Sequence, residues 1–248
     1  MKRNEFIKIS GITGLSLAIS PHLAFKNFSE EFTRNQLIGK GNQDIIGDSY
    51  TSKMHKTAKE AFKQMKVVAA AENINLEVVS AYRSFERQKE IFERKYKQFI
   101  SQGLLPEKAI MKIIEYSTIP GTSRHHWGTD LDIIDANAPR PANVLMPENF
   151  HRDGPYCDLK VWLDENANKF DFYEVYTDNG NRKGFKYEPW HFSYAPVSVQ
   201  MLKEYKDKID VKKMLSEEKL LGSENFSDDF VSRYIKEHIL DINPKLLP

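Results

Sequence analysis

Two short segments of the chain contain the residue types from which a catalytic zinc site is built. Residues 188–191 read EPWH, and residues 123–132 read SRHHWGTDLD. Two neutral imidazoles and one carboxylate hold zinc and leave a position open for water, whose pKa then falls to about 7. His125, Asp132 and His191 fit this ligand set. The two segments therefore indicate a hydrolytic metal centre.

The segment EPWH also supplies a second carboxylate. Glu188 suits a general base that takes a proton from the water and then passes it, as an acid, to a leaving amine. Pro189 would remove a backbone donor from a helix interior, so the segment differs from the helical HExxH pattern of many metalloproteases. We expect a turn that leads into a strand at residues 190–195, WHFSYA.

The run DLDII at residues 130–134 predicts a strand that follows a loop. Because side chains alternate faces along a strand, Asp130 and Asp132 point to the same side, and Leu131 and Ile133 enter the core. The alternation does not decide which of the two aspartates binds the metal.

Three motifs in the same order resemble the VanY-type D-alanyl-D-alanine carboxypeptidases and dipeptidases, which are zinc peptidases of the peptidoglycan. SRHHWGTDLD matches the pattern SxHxxGxxxD, and EPWH matches ExxH. The third segment, SAYRSFERQ at residues 80–88, resembles the family's YRS segment with a glutamine five residues beyond the arginine. A lone ExxH is weak, but three ordered motifs across residues 50–196 are specific.

The resemblance implies a role for each matched residue. The implied ligands of one zinc ion per chain are His125, Asp132 and His191. Glu188 is implied as general base and then acid. Arg83 would stabilise the oxyanion or hold a substrate carboxylate, which suits a guanidinium that is always charged and pairs with carboxylates through two hydrogen bonds. The residues implied to contact the peptide are Ser84, Gln88 and Ser123.

The chain departs from the family pattern at one position and is ambiguous at another. Asp130 stands where the family usually has a small residue, often alanine. That carboxylate could bind the metal, orient a ligand or face solvent. His126 lies beside His125 and is a second candidate imidazole, although the motif register favours His125.

Composition limits the other classes of function. The 248 residues include 36 Lys and Arg against 35 Asp and Glu, so the charge balance indicates neither a nucleic-acid surface nor a polybasic membrane patch. Cys157 is the only cysteine, which excludes an intramolecular disulfide and a cysteine-based zinc cluster.

The N-terminus has the pattern of an export signal. MKRNEFIK is basic, and the apolar run at residues 9–20 is too short for a comfortable membrane anchor in the mature chain. We therefore expect export to the periplasm or cell envelope. The predicted organisation is an export signal at 1–25, a linker or lead-in at 26–49, a zinc peptidase domain at 50–200 and a helical tail at 201–248.

Periodicity predicts helices alternating with strands, and we expect an α+β fold. The sheet is small and mainly antiparallel, helices flank it, and the zinc site lies in a cleft across it. The Pro- and Asn-rich residues 135–155 are expected to form a rim beside the site. The predicted helices span residues 54–73, 84–102, 106–116 and 156–168.

These residues predict a zinc-dependent D,D-carboxypeptidase that removes the terminal D-alanine from a peptidoglycan stem peptide. An endopeptidase that cuts inside the stem peptide would use the same ligands. A non-catalytic wall-binding module that keeps zinc for structure is a different class, but a closed structural site has no need of Glu188. A third possibility is a regulatory protein whose C-terminal tail recruits a partner. The oligomeric state does not follow from the sequence.

Overall fold

The computed structural model describes residues 31–248. The predicted export signal and the first residues of the predicted linker lie outside the described residues. The helices are, in chain order, α1 (Arg34–Ile38), α2 (Lys56–Ala71), α3 (Phe85–Ser101), α4 (Pro106–Ile113), α5 (Cys157–Asn166), α6 (Ala195–Lys208), α7 (Val211–Glu218) and α8 (Asp228–Tyr234).

Two antiparallel sheets accompany these helices. The strands are β1 (Ile45–Ile46), β2 (Met54–His55), β3 (Leu76–Ser80), β4 (Asp130–Asp135), β5 (Phe172–Glu174) and β6 (His191–Tyr194). The first two strands pair with each other, and the other four form a sheet in the order β3-β4-β6-β5. The predicted α+β class with a small antiparallel sheet is confirmed.

Helix α2 packs its apolar face against the main sheet. Ala58, Phe62, Met65 and Ala69 recur at the spacing of one helix face and are all buried. The Phe62 ring meets Phe172 of β5 edge to face, with the ring centroids 6.3 Å apart. All six residues of β4 are buried, as expected for a strand paired on both sides.

The two helices that follow β3 begin where their sequence signals place them. The Ser84 side chain accepts a hydrogen bond from the Arg87 backbone N–H, so it caps the N-terminus of α3. Pro106 occupies the first turn of α4, where a missing N–H leaves no hydrogen bond unmade. Helices α3 and α4 pack against each other.

The segment predicted as a linker or loosely packed lead-in contains ordered structure. Thr33 and Gln36 form a capping box at the start of α1, and Gly39 ends the helix in the left-handed conformation. Leu37 and Ile38 are fully buried in the core. This part of the segment packs as part of the domain, because a short capped helix can bury two large apolar side chains.

The C-terminal tail packs on the domain. The Tyr205 hydroxyl of α6 donates to the Gly121 carbonyl at 2.8 Å. The Tyr234 hydroxyl of α8 accepts from the Ile119 backbone N–H at 3.0 Å and lies 2.9 Å from the Thr122 hydroxyl. These bonds hold residues 117–122, a loop between α4 and the segment that contains His125. Among residues 31–248, no helix is long and apolar enough to cross a membrane.

Replacement of Tyr234 by phenylalanine tests the contribution of the tail. Tyr234→Phe leaves the buried Ile119 N–H without its acceptor, so we expect the free energy of unfolding to fall by about 1–3 kcal/mol. Urea unfolding followed by circular dichroism measures the change. The control is Tyr173→Phe, which removes a hydroxyl that makes no hydrogen bond within residues 31–248. Equal stability of the two variants would contradict the prediction.

Candidate metal centre

The register of the sheet brings the central residues of the site side by side. Asp132 of β4 lies opposite His191 of β6, and Ser80 of β3 lies opposite Asp132 on the other edge. Asp130 lies opposite Ser193. Cross-strand neighbours have Cβ atoms about 4.5–5.5 Å apart, so these side chains interact directly.

The predicted ligands His125, Asp132 and His191 form one buried cluster. One donor atom from each of the three lies within 4.8 Å of the others. The His125 Nε2 is 3.7 Å from Asp132 Oδ2, and the His191 Nδ1 is 3.9 Å from Asp132 Oδ1. The arrangement matches the two imidazoles and one carboxylate that the sequence motifs predict.

A short turn of helix presents His125 to the cluster. Residues Arg124–Trp127 form this turn, and Gly128 ends it with φ of 68°, a left-handed conformation that favours glycine. A side chain at Gly128 would also approach Ile45 Cδ1 to 2.3 Å. The His125 Nδ1 donates to the Ala81 carbonyl at 2.7 Å. This bond leaves Nε2 free to face Asp132.

Asp130 holds the other imidazole from behind. Its Oδ2 lies 3.0 Å from His191 Nε2, so the Nδ1 atom of His191 faces Asp132 and Glu188. The Ser193 hydroxyl donates to Asp130 at 2.6 Å, and Arg124 Nε donates to it at 2.9 Å. Of the three roles left open by the sequence, this geometry supports the orientation of a candidate ligand. In metal sites such a carboxylate fixes the tautomer and direction of the imidazole.

Buried charges set the protonation of the cluster. Burial alone would raise the pKa of Asp130, but the Arg124 guanidinium and the hydrogen bond from His191 hold it below its ordinary value. Burial raises the pKa of Asp132 to about 6. Burial would lower the pKa of His191, but hydrogen bonds to Asp130 and Glu188 raise it to about 10. Three carboxylates around one imidazole favour a cation at this place.

Glu188 stands beside the cluster without belonging to it. The His191 backbone N–H donates to the Glu188 carbonyl at 3.1 Å, which closes the turn predicted for EPWH. The turn brings the Glu188 carboxylate within 2.8 Å of His191 Nδ1. The Glu188 residue is buried and lines the same cavity as the candidate ligands.

Arg83 reaches the cavity from the end of β3. A register shift between Val78 and Ser80 marks a bulge just before it, and bulges of this kind redirect side chains. Its guanidinium donates to Gln88 Oε1 and to Ser80 Oγ, both at 2.9 Å. Its backbone N–H donates to the His125 carbonyl at 3.0 Å. The arginine is therefore fixed relative to the cluster.

The structure gives different positions to the three residues predicted to contact the peptide. Gln88 is fully buried and does not line the cavity; its amide donates to the Thr118 carbonyl, and its Oε1 accepts from Arg83. Ser84 caps α3 and does not line the cavity. Ser123 does line the cavity, and within residues 31–248 its buried hydroxyl has no hydrogen-bond partner. Of the three, only Ser123 keeps a free polar atom at the cavity.

His126 is a structural residue. Its Nδ1 donates to the Arg83 carbonyl at 2.6 Å, and its Nε2 accepts from the Gly121 N–H at 3.1 Å. Both ring nitrogens are thus used, and the imidazole is fully buried. The motif register that favours His125 as the ligand agrees with this geometry.

The cluster opens into a cavity of about 370 Å³. Leu145, Met146 and Pro147 form part of its wall, so the Pro- and Asn-rich segment borders the site as predicted. Tyr176 and Phe185 line it as well. This volume suits the end of a peptide, and the mixture of apolar walls and a few buried polar groups is typical of a ligand site.

The donors present fit a divalent metal such as zinc. The Asp132 Oδ1 atom is buried and has no hydrogen-bond partner among residues 31–248. A buried carboxylate oxygen without a partner is costly, and a metal would satisfy it. His125 uses Nδ1 for the Ala81 carbonyl and directs Nε2 towards Asp132. His191 uses Nε2 for Asp130, and its Nδ1 faces both the Glu188 carboxylate at 2.8 Å and Asp132 at 3.9 Å.

Two residues of the site were missed by sequence reasoning. Arg124 lies inside the SRHHWGTDLD motif and pairs with Asp130. The presence of an arginine six residues before an unusual aspartate was the sequence signal for this ion pair. Lys95 lines the cavity from α3. It lies seven positions after Gln88 in the sequence, which places both on one helix face.

A comparison with known families agrees with this geometry. The family model described as VanY, D-alanyl-D-alanine carboxypeptidase, matches residues 51–197. A protein of Haemophilus influenzae described as uncharacterized is 34% identical over 93 residues, which is 37% of this chain and 71% of that protein.

Two further relatives are described by activity or ligand. A D-alanyl-D-alanine carboxypeptidase of Enterococcus faecalis is 30% identical over 132 residues, which cover 53% of this chain. The match spans less than half of that relative, 44% of its length. A solved structure of VanYB in complex with D-alanine-D-alanine is 25% identical with a TM-score of 0.50, over 73% of this chain and 92% of that one.

Removal of the Asp130 charge tests its role towards the metal. We expect Asp130→Asn to weaken zinc binding by about 10- to 100-fold, because the amide holds the His191 imidazole less firmly and leaves Arg124 unpaired. Competition with a chromophoric chelator measures the dissociation constant independently of activity. The matched control is Asp158→Asn on the exposed surface of α5. A folded Asp130→Asn protein with unchanged zinc affinity would show that Asp130 does not orient the ligand.

Proposed function

The chain belongs to the VanY family of D-alanyl-D-alanine carboxypeptidases, and on that premise we propose that it is a zinc-dependent D,D-carboxypeptidase. Its substrate is a peptidoglycan stem peptide, from which it removes the terminal D-alanine. One observation carries the proposal most directly. The Glu188 carboxylate lies beside the three candidate ligands without being one of them, which is the place of a general base.

The proposed metal site consists of His125, Asp132 and His191. Zinc bound there would supply Lewis-acid polarisation of the scissile carbonyl and a water whose pKa falls to about 7. The three residues lie in a buried site, where electrostatic interactions are stronger than in water. The protein's own part is to keep the two imidazoles and the carboxylate in a fixed orientation, which Ala81 and Asp130 support.

Glu188 and Arg83 have complementary roles in the proposed reaction. The Glu188 carboxylate takes a proton from the attacking water and passes it to the nitrogen of the leaving D-alanine, so that the amine leaves uncharged. Arg83 lines the cavity together with Asp132 and Glu188, which supports a role for its positive charge beside the reacting carbonyl. There it stabilises the negative charge that develops on the carbonyl oxygen. Ser123 offers a free hydroxyl to the peptide backbone.

Export of the chain fits this substrate. Peptidoglycan lies outside the cytoplasm, and the basic start and apolar run of residues 1–20 have the pattern of an export signal. We propose a periplasmic or cell-envelope location on this ground. Fusion of residues 1–30 to a reporter that is active only after export measures the location, and a reporter retained in the cytoplasm would refute it.

The substitution Glu188→Gln tests the chemistry. We expect the turnover of a synthetic stem pentapeptide ending in D-Ala-D-Ala to fall by about 10²- to 10⁴-fold, because the amide cannot accept the proton. Mass spectrometry follows the loss of one alanine, with chelator-treated protein as a second comparison. The control is Glu165→Gln, which changes an exposed glutamate of α5.

Other outcomes of the same experiment have definite meanings. Cleavage at an internal bond would make the protein an endopeptidase. An intact peptide in the presence of bound zinc would favour a wall-binding module without catalysis. Equal turnover by Glu188→Gln and the parent protein would remove Glu188 from the mechanism.

A further inference from the structure

We propose that Lys95 binds a carboxylate of the peptide and so forms an anionic subsite of the cavity, separate from the metal centre and from Arg83. The proposal rests on the proposed function, since it concerns the substrate of the same cavity. The ligand is a peptide with a free carboxylate, and Lys95 is the residue that selects it.

The position of Lys95 follows from one face of α3. Gln88, Ile91 and Lys95 are spaced as i, i+3 and i+7, so their side chains point in one direction. Gln88 is buried and holds Arg83 at the start of this face. Ile91 and Lys95 line the cavity further along. Seven residues of helix rise by about 10 Å, which separates the Lys95 backbone from the Arg83 end of the helix by two turns.

Lys95 lacks a partner in a place where a cation needs one. Within residues 31–248 its ammonium makes no hydrogen bond and no ion pair, although the side chain is half-buried. Two other cations of α3 have partners, Arg87 with Glu90 at 2.8 Å and Lys89 with the Glu218 carbonyl at 3.4 Å, whereas Arg94 and Lys97 are exposed to solvent. Burial lowers the pKa of Lys95, and the Arg83 charge lowers it further. An anion bound in the cavity would counteract both effects, because it stabilises the charged ammonium.

The charge balance of the cavity also favours an anionic ligand. Asp130 neutralises Arg124, which leaves Arg83 and Lys95 as the cations facing Asp132 and Glu188. A divalent metal at the cluster would make this balance positive. Peptide carboxylates are the anions that such a cavity would meet, and an ammonium pairs with them as a point charge.

The sequence left two roles open for Arg83, stabilisation of the oxyanion and binding of a substrate carboxylate. We assign the first role to Arg83 and the second to Lys95. Ser80, Gln88 and the His125 backbone fix Arg83 beside the metal ligands, where charge develops during the reaction. Lys95 lines the same cavity from two turns further along α3, and within residues 31–248 its three donors have no partner. It is placed to hold a carboxylate that is already charged in the substrate, either at the C-terminus or on a side chain.

A set of binding measurements tests this assignment. The protein is the zinc-loaded full chain with Glu188→Ala, which blocks turnover, with and without Lys95→Met. The probes are a stem pentapeptide with a free C-terminus, its C-terminal amide, and a peptide whose side-chain carboxylate is also amidated. Isothermal titration calorimetry gives each dissociation constant, and Lys97→Met on the exposed side of α3 is the matched control.

The expected result is a coupling between Lys95 and one carboxylate. Lys95→Met should weaken binding of the free peptide by about 10-fold, and it should have no effect once the carboxylate that Lys95 holds is amidated. The amide at which the effect disappears identifies the C-terminal or the side-chain carboxylate as the partner. In the active protein, Lys95→Met should raise KM by the same factor and leave kcat unchanged.

Three results would overturn the proposal. They are an equal effect of Lys95→Met on all peptides, no effect on any of them, and no binding of any peptide to the parent protein. Failure of the proposed function has a different signature, because binding and the Lys95 coupling would persist while the protein with Glu188 intact left the pentapeptide uncleaved.

Discussion

The antiparallel register of β4 against β6 is the constraint on which the site depends. It sets Asp132 opposite His191 and Asp130 opposite Ser193, so that one face of two neighbouring strands contains both the ligand pair and the group that orients it. A shift by one residue would turn these side chains to the opposite face and bring Leu131 to the cavity. The core on the other face of β4, which includes Leu131 and Ile133, resists such a shift.

Burial of this many charges requires internal compensation. Asp130 is fully buried, and it is stable there because Arg124, Ser193 and His191 all donate to it. Arg124 in turn lies against the Trp127 ring, 4.9 Å from its centroid, and donates to Ser193. The family's more usual small residue at this position would leave the buried guanidinium without its carboxylate partner, although the bond to Ser193 would remain. Asp130 and Arg124 therefore stabilise each other in the core.

The sequence was sufficient to predict the fold class and the residues of the candidate cluster, because both depend on local patterns. Alternation along DLDII predicts that Asp130 and Asp132 share a face, and Pro189 predicts the turn at EPWH. The alternation could not distinguish the roles of the two aspartates, since those roles depend on which nitrogen of His191 each carboxylate contacts. The burial of Gln88 was not predictable for a similar reason, because it arises from packing between α3 and a distant loop.

The tail contains no candidate catalytic residue, but it packs on the loop that leads to the site and is therefore part of the same domain. Residues 117–122 have no helix or strand of their own, yet they lead directly to Ser123 and His125. Tyr205 and Tyr234 bind the loop through hydrogen bonds that its own backbone cannot make internally. A side chain at Gly121 would approach the Met214 sulphur to 2.6 Å, so α7 also packs closely on the loop. The position of the candidate ligand His125 thus depends on side chains that lie at least 80 residues away in the sequence.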